Sequence, residues 1–211
     1  MYVPKLFEET RLDVLQHLIG EHPFATLVTL GSDGLNANHL PLVLSPDPAP
    51  FGTLRGHVSR ANRVWQDISP DVEALAVFQG LQRYITPSWY PTKQETGKVV
   101  PTWNYAVVHA YGKPRFHDDP AWLREHVQQL TNRHEAGRPE PWHVTDAPED
   151  YVAAQLRGIV GFEIAVTRLL GKWKVSQNRT ETDRQGVSAG LREMGDPSAD
   201  AMADLIDAKH D

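Results

Sequence analysis

A chain of 211 residues that is 40% hydrophobic and 23% charged can bury a core of its own and needs no staple. It contains no cysteine, which excludes disulfides, zinc ribbons, iron–sulfur clusters and thiol nucleophiles, and fits a reducing compartment. The formal charge of −6 argues against a protein that coats DNA non-specifically, and no apolar run reaches the ~20 residues of a membrane-spanning helix.

The opening segment MYVPKLFEET lacks the charged-then-apolar run of a secretory signal, so the cytoplasm is the expected location. From Glu8 to about His22, Leu12, Leu15, Leu18 and Ile19 recur at helical spacing and predict an amphipathic helix. PFATLVTL (Pro23 to Leu30) reads as a strand, Gly31-Ser32-Asp33-Gly34 as a turn, and LNANHLPLVLS (Leu35 to Ser45) as the returning strand. Pro46, Pro48 and Pro50 mark a loop. GTLRGHV (Gly52 to Val58) and EALAVFQG (Glu73 to Gly80) are further strands. RYITPSWYPTKQETGK passes from strand to loop, and Val99 to His117 reads as one long bent strand or a hairpin. Asp119-Pro120 starts a helix, and a second, shorter helix follows from about Pro148. Val160, Phe162, Ile164 and Val166 then alternate onto one face of a strand. The last ~35 residues are polar, restart at Asp196-Pro197 and predict a helical tail.

Short strands joined by hairpin signals, with few helical crossovers, point to an antiparallel barrel or sandwich with peripheral helices, mainly β in an α+β chain. No Gly-x-Gly-x-x-Gly follows a strand and no P-loop is present, which sets aside a Rossmann fold and a P-loop nucleotide site.

Four segments could carry chemistry. In GHVSRANRVW, Ser59 suits an N-cap, and the amides of Arg60, Ala61 and Asn62 would then face an anion; the competing reading is an ordinary capped helix. In SWYPTKQETGKVVPTWNY, Trp89, Tyr90, Trp103 and Tyr105 surround Lys93 and Lys98. Alternation sends Thr102 and Asn104 to one face and Trp103 and Tyr105 to the other, which suits either a flat heterocycle or a plain aromatic core. His39, in NHLP, is a strand histidine that is either a ligand contact or a hydrogen-bonded core residue. GKWKVSQN places Lys174 and Gln177 after an apolar strand, as a solvated edge or an anion contact. The ten histidines show no His-Glu-x-x-His spacing, and a dedicated metal site is not expected. No catalytic base stands out.

Taken together, MYVPKLFEE, NHLP, LRGHVSRAN, ITPSWYPTK, GKVVPTWNY, VHAYG and KWKVSQNRTETDRQGV closely resemble the PaiB family in order and spacing, from Met1 to about Leu191. The resemblance implies an FMN-binding split β-barrel at 1–191, in which the helices at about 119–157 are an insert; 192–211, beyond the resemblance, is the expected C-terminal helical tail. The resemblance also implies a homodimer with flavin at the interface. It gives Ser59 and Arg60 to the FMN phosphate, with Asn62 and Lys93 as accessories. Trp103 and Asn104 go to the flavin edge or the interface, and Lys174 and Gln177 to the cofactor, from either subunit. Arg63 stands where many relatives place proline. The family's label as an FMN-binding negative transcriptional regulator implies a regulatory role. The alternative is an oxidoreductase that uses nicotinamide or acts on a small heterocycle or haem. No helix-turn-helix is legible, and Glu125, Glu135, Glu140, Asp146, Glu149 and Asp150 make its nearest candidate acidic, so direct DNA binding has no support in the sequence.

Overall fold

The structure is a computed structural model that describes residues 1–48 and 50–208. Ala49, in the expected proline loop, and residues 209–211, at the end of the expected tail, lie outside the described residues.

The first helix starts later than its periodicity suggested. Glu9 instead belongs to a two-residue strand, β1 (Glu8–Glu9), and its carboxylate accepts from the Arg11 amide and guanidinium. Helix α1 (Leu12–Glu21) then buries Leu15, Leu18 and Ile19 as the spacing predicts. Strands β2 (Phe24–Gly31) and β3 (Gly34–Pro41) form the expected hairpin; Gly34 takes φ 104°, a region open to glycine without steric cost. β4 (Val43–Ser45) and β5 (Thr53–Ser59) follow, then a single turn of helix, α2 (Val64–Asp67).

Strand β6 (Ala74–Ile85) runs past its expected end at Gly80, and part of the expected loop is a short helix, α3 (Thr92–Thr96). The expected long strand or hairpin is broken at Lys113 into β7 (Thr102–Gly112) and β8 (Pro114–His117), and β8 pairs with a later strand. Helix α4 (Pro120–Glu135) is capped by Asp119, whose carboxylate accepts from Ala121 N and Trp122 N, and α5 (Glu149–Arg157) follows. Strands β9 (Ile159–Ala165) and β10 (Arg168–Lys174) lead to α6 (Glu181–Arg192) and α7 (Pro197–Ala208). No described helix is long and apolar enough to cross a membrane.

The chain divides into two compact units, and β6, β7 and β10 each pass from one to the other. Unit 1 takes Met1–Glu21, Gln79–His109 and the chain from Leu170 onward. Its strands run in the order β1-β10-β7-β6, and its core joins Ile85, Tyr90, Val175, Val187 and Leu191 to Ala199, Met202, Ala203 and Ile206. Helix α7 therefore packs into this core by its i, i+3, i+4, i+7 face. Gly190 of α6 lies against Trp89, where a Cβ would overlap the indole ring.

Unit 2 takes His22–Phe78 and Ala110–Leu169. It holds β6-β2-β3 and a second sheet ordered β4-β5-β9-β8. β5 and β9 pair antiparallel from Thr53↔Ala165 to Ser59↔Ile159. Leu54, Gly56 and Val58 of β5 are buried, so Arg55, His57 and Ser59 alternate onto the other face. The Trp122 ring of α4 packs on Gly161, where a side chain would overlap it. Leu123, Val144, Val152 and Leu156 form the core beneath α4 and α5.

Candidate functional site

The end of β5 opens onto a groove of about 450 Å³. Its walls include Asn38 and His39 from β3, His57 and Ser59 from β5, Asn62, and Gln155 at the end of α5. Three of the sequence-predicted residues, His39, Ser59 and Asn62, thus meet in unit 2. Among the described residues the groove has no carboxylate in its lining, whereas two other cavities of this unit are lined by Asp33 and Asp67 or by Asp118 and Glu149. The available groups are a hydroxyl, two imidazoles and three amides.

The local conformation corrects the expected helix start. Ser59 does not cap a helix: the helix begins only at Val64, whose amide bonds to Asn62 Oδ1. The three amides expected to face an anion are all used internally. Arg60 N donates to Gly158 O, Ala61 N to Ser59 Oγ and Asn62 N to Ser59 O. The cause is long-range: β9 enters directly beside β5, and Gly158, the residue just before it, accepts from the Arg60 amide. Asn62 Nδ2 donates to Asn38 Oδ1 at 2.6 Å, which clamps this turn to β3. His39 Nδ1 lies 3.1 Å from Thr26 Oγ1.

The Arg60 side chain turns away from the groove. Its guanidinium forks onto Asp118 and also donates to Arg157 O and Ile159 O. Asp118 is held below the usual carboxylate range by hydrogen bonding to Arg60.

Sequence reasoning missed the partner of His57. Its Nδ1 lies 3.1 Å from Nε2 of His126 on α4, so one N–H joins the two rings, one donating and the other accepting. His126 is fully buried and stacks on Trp122, which stacks in turn on His117. Burial, then the charges of His57 and Arg55, pushes the His126 imidazole down to about 4; burial also lowers His57. The two histidines are 69 positions apart, so no local spacing could have announced the pair.

The remaining predicted residues lie in unit 1. Lys93 is exposed, with Nζ 3.4 Å from Ser88 Oγ. Trp103 is 53% exposed beside Tyr84, edge to face at 6.1 Å, whereas Asn104 is buried. The alternation holds, but it is the polar face that turns inward. Asn104 Nδ2 donates to Ser176 Oγ at 2.9 Å, and Ser176 sits at φ 67°, where a side chain is strained. Gln177 closes the same bend, its Oε1 accepting from Val175 N and its Nε2 donating to Trp173 O. Lys174 Nζ donates to Thr102 Oγ1 and Trp103 O, and burial, with Lys172 and Arg179 nearby, lowers its pKa. Asn104, Lys174 and Gln177 thus secure the strand ends.

Residues 1–168 match the family described as "Putative FMN-binding domain". The Bacillus subtilis protein named protease synthase and sporulation protein PAI 2 is 33% identical over 209 residues, covering 99% of this chain and 98% of that one. An uncharacterized protein of Emericella nidulans, AN0679, is 32% identical, covering 98% of this chain and 96% of its own. Among solved structures, an FAD and haem binding protein from Mycobacterium smegmatis superposes with TM-score 0.59 at 14% identity, covering 79% of this chain and 73% of its own. The flavocytochrome Anf3 from Azotobacter vinelandii also gives 0.59, at 12% identity, covering 87% of this chain and 78% of its own. The fold is the split-barrel α+β type with antiparallel sheets.

Proposed function

The chain belongs to the PaiB-type FMN-binding domain family, and on that premise we propose that it is a regulatory flavoprotein which receives its FMN phosphate in the groove of unit 2. FMN is its cofactor. The observation that carries the placement is the groove's lining, which offers Ser59 and Asn62 with imidazole and amide groups and no carboxylate to repel a phosphate. Its volume of about 450 Å³ falls within the range of small-molecule sites. The groups present therefore fit the polar end of FMN. Bound flavin supplies one- and two-electron redox chemistry. The protein's own residues bind and orient: Ser59 would donate a hydrogen bond from its hydroxyl, and Asn62, braced on Asn38, fixes the turn that presents it.

A homodimer is part of the same reading. Tyr84 and Trp103 of unit 1 are both exposed and in ring contact, and adjacent exposed aromatic side chains support self-association. A regulatory role is supported by the relative whose name refers to protease synthesis and sporulation. Helices α4 and α5 carry Glu125, Glu135, Glu149 and Asp150, which disfavours a groove-reading helix of its own.

Replacing Ser59 by alanine tests the placement. A hydrogen bond to a charged group is worth about 1.5–3 kcal/mol, so S59A should weaken FMN binding roughly tenfold or more. Riboflavin, which lacks the phosphate, should lose little. Equal losses for the two flavins would take the phosphate away from Ser59. FMN-loaded protein that oxidises a reduced nicotinamide faster than free FMN would replace the regulatory reading with an oxidoreductase.

A further inference from the structure

A second cavity in unit 2, of about 490 Å³, lies between α4 and α5, apart from the groove proposed for the FMN phosphate. Ala121, Leu123, Ala153 and Leu156 supply an apolar lining. The polar part of the lining is cationic on balance: Arg60, Arg124 and Arg157 face Asp118 and Glu149. Arg60 pairs with Asp118 and Arg124 with Glu149. The Arg157 guanidinium has no ion-pair partner among the described residues, so one positive charge is left over.

An apolar enclosure with a surplus guanidinium matches a molecule that has an apolar body and one carboxylate. We propose that the α4–α5 cleft binds a small organic anion, an aromatic or medium-chain monocarboxylate. The body packs on Leu123, Ala153 and Leu156, and the carboxylate meets the arginines. The existing ion pairs do not block it. The Asp118 side chain is 61% exposed and that of Glu149 77% exposed, and such pairs exchange cheaply for another carboxylate. Asp118 acts as a stand-in anion on the Arg60 fork.

The cleft is also connected to the groove. Arg60 bonds to the carbonyls of Arg157, Gly158 and Ile159, and Ser59, Gly158 and Ile159 line the groove. A ligand that draws on Arg60 therefore acts on the segment that also shapes the groove.

The test is calorimetric titration of the full-length protein, without added FMN, using 2-naphthoate and its uncharged analogue 2-naphthamide. Saturable binding of the acid, roughly tenfold tighter than the amide, is expected from a charge-assisted contact. Asp118→Asn, which removes the competing charge, should tighten it severalfold. Ala153→Trp, which fills the cleft, should abolish it. Arg157→Gln changes an exposed side chain outside the core and should weaken it roughly tenfold, and this holds even if the tryptophan variant fails to fold. No binding of the acid, equal binding of acid and amide, or affinity unchanged in Arg157→Gln would overturn the proposal. FMN uptake is read separately, so loss of the flavin reading would leave this result standing, and the reverse.

Discussion

Met202→Ala should lower the unfolding free energy by about 2–5 kcal/mol, the usual cost of emptying a large buried side chain to alanine. Met202 is fully buried in the core that joins α7 to Ile85, Tyr90, Val187 and Leu191. Its loss removes apolar contact and leaves a cavity between helices whose backbones are held by their own hydrogen bonds. The denaturant midpoint should fall at unchanged slope, because the same surface is still exposed on unfolding. Asp204→Ala, on the exposed side of the same helix, should cost far less. Equal and small effects at both positions would mean that α7 hangs off unit 1 as a tail and takes no part in its core.

Acid should destabilise the protein in a window set by histidine. His126 is pushed down to about 4, and burial also lowers His57. An unfolded histidine titrates near 6.5. Between these values the unfolded chain takes up protons that the folded chain refuses, so stability is full above about 6.5 and falls as pH drops toward 4. For His126 alone the loss is about 3 kcal/mol across that window. Asp118 acts differently. Its lowered pKa keeps its contribution in place above the ordinary 3.8, and that contribution fades only at lower pH. Unfolding free energies measured from pH 7.5 to 4 should therefore slope downward in the wild type and flatten in His126→Gln. The same slope in both proteins would detach the acid response from this pair.

Much of the fold could be read from local chemistry. The Asp119-Pro120 start, the Gly31–Gly34 turn and the alternation of Val160, Phe162 and Ile164 each act within a few residues, and each appears where it was expected. The misread segments answer to distant partners. Ser59 has the right side chain for a helix cap, but Gly158, about a hundred residues later and just before β9, takes the Arg60 amide. The sequence announced α7 only as part of a polar helical tail; of Ala199, Met202, Ala203 and Ile206, two are small, and they form a recognisable face only once the core that receives them is known. Trp103 and Asn104 occupy opposite faces as alternation requires, and only the structure shows which face is inward. Among the candidate site residues, motif order carried His39, Ser59 and Asn62 into one groove. It could not foresee that Arg60 would be spent on Asp118 or that His57 would be joined to His126.

The central claim is that this chain holds FMN, and a titration of purified protein into FMN tests it most directly. Quenched flavin fluorescence and a shifted visible spectrum that saturate at one FMN per chain are the predicted result. An unchanged flavin spectrum and full fluorescence at saturating FMN and micromolar protein would contradict it.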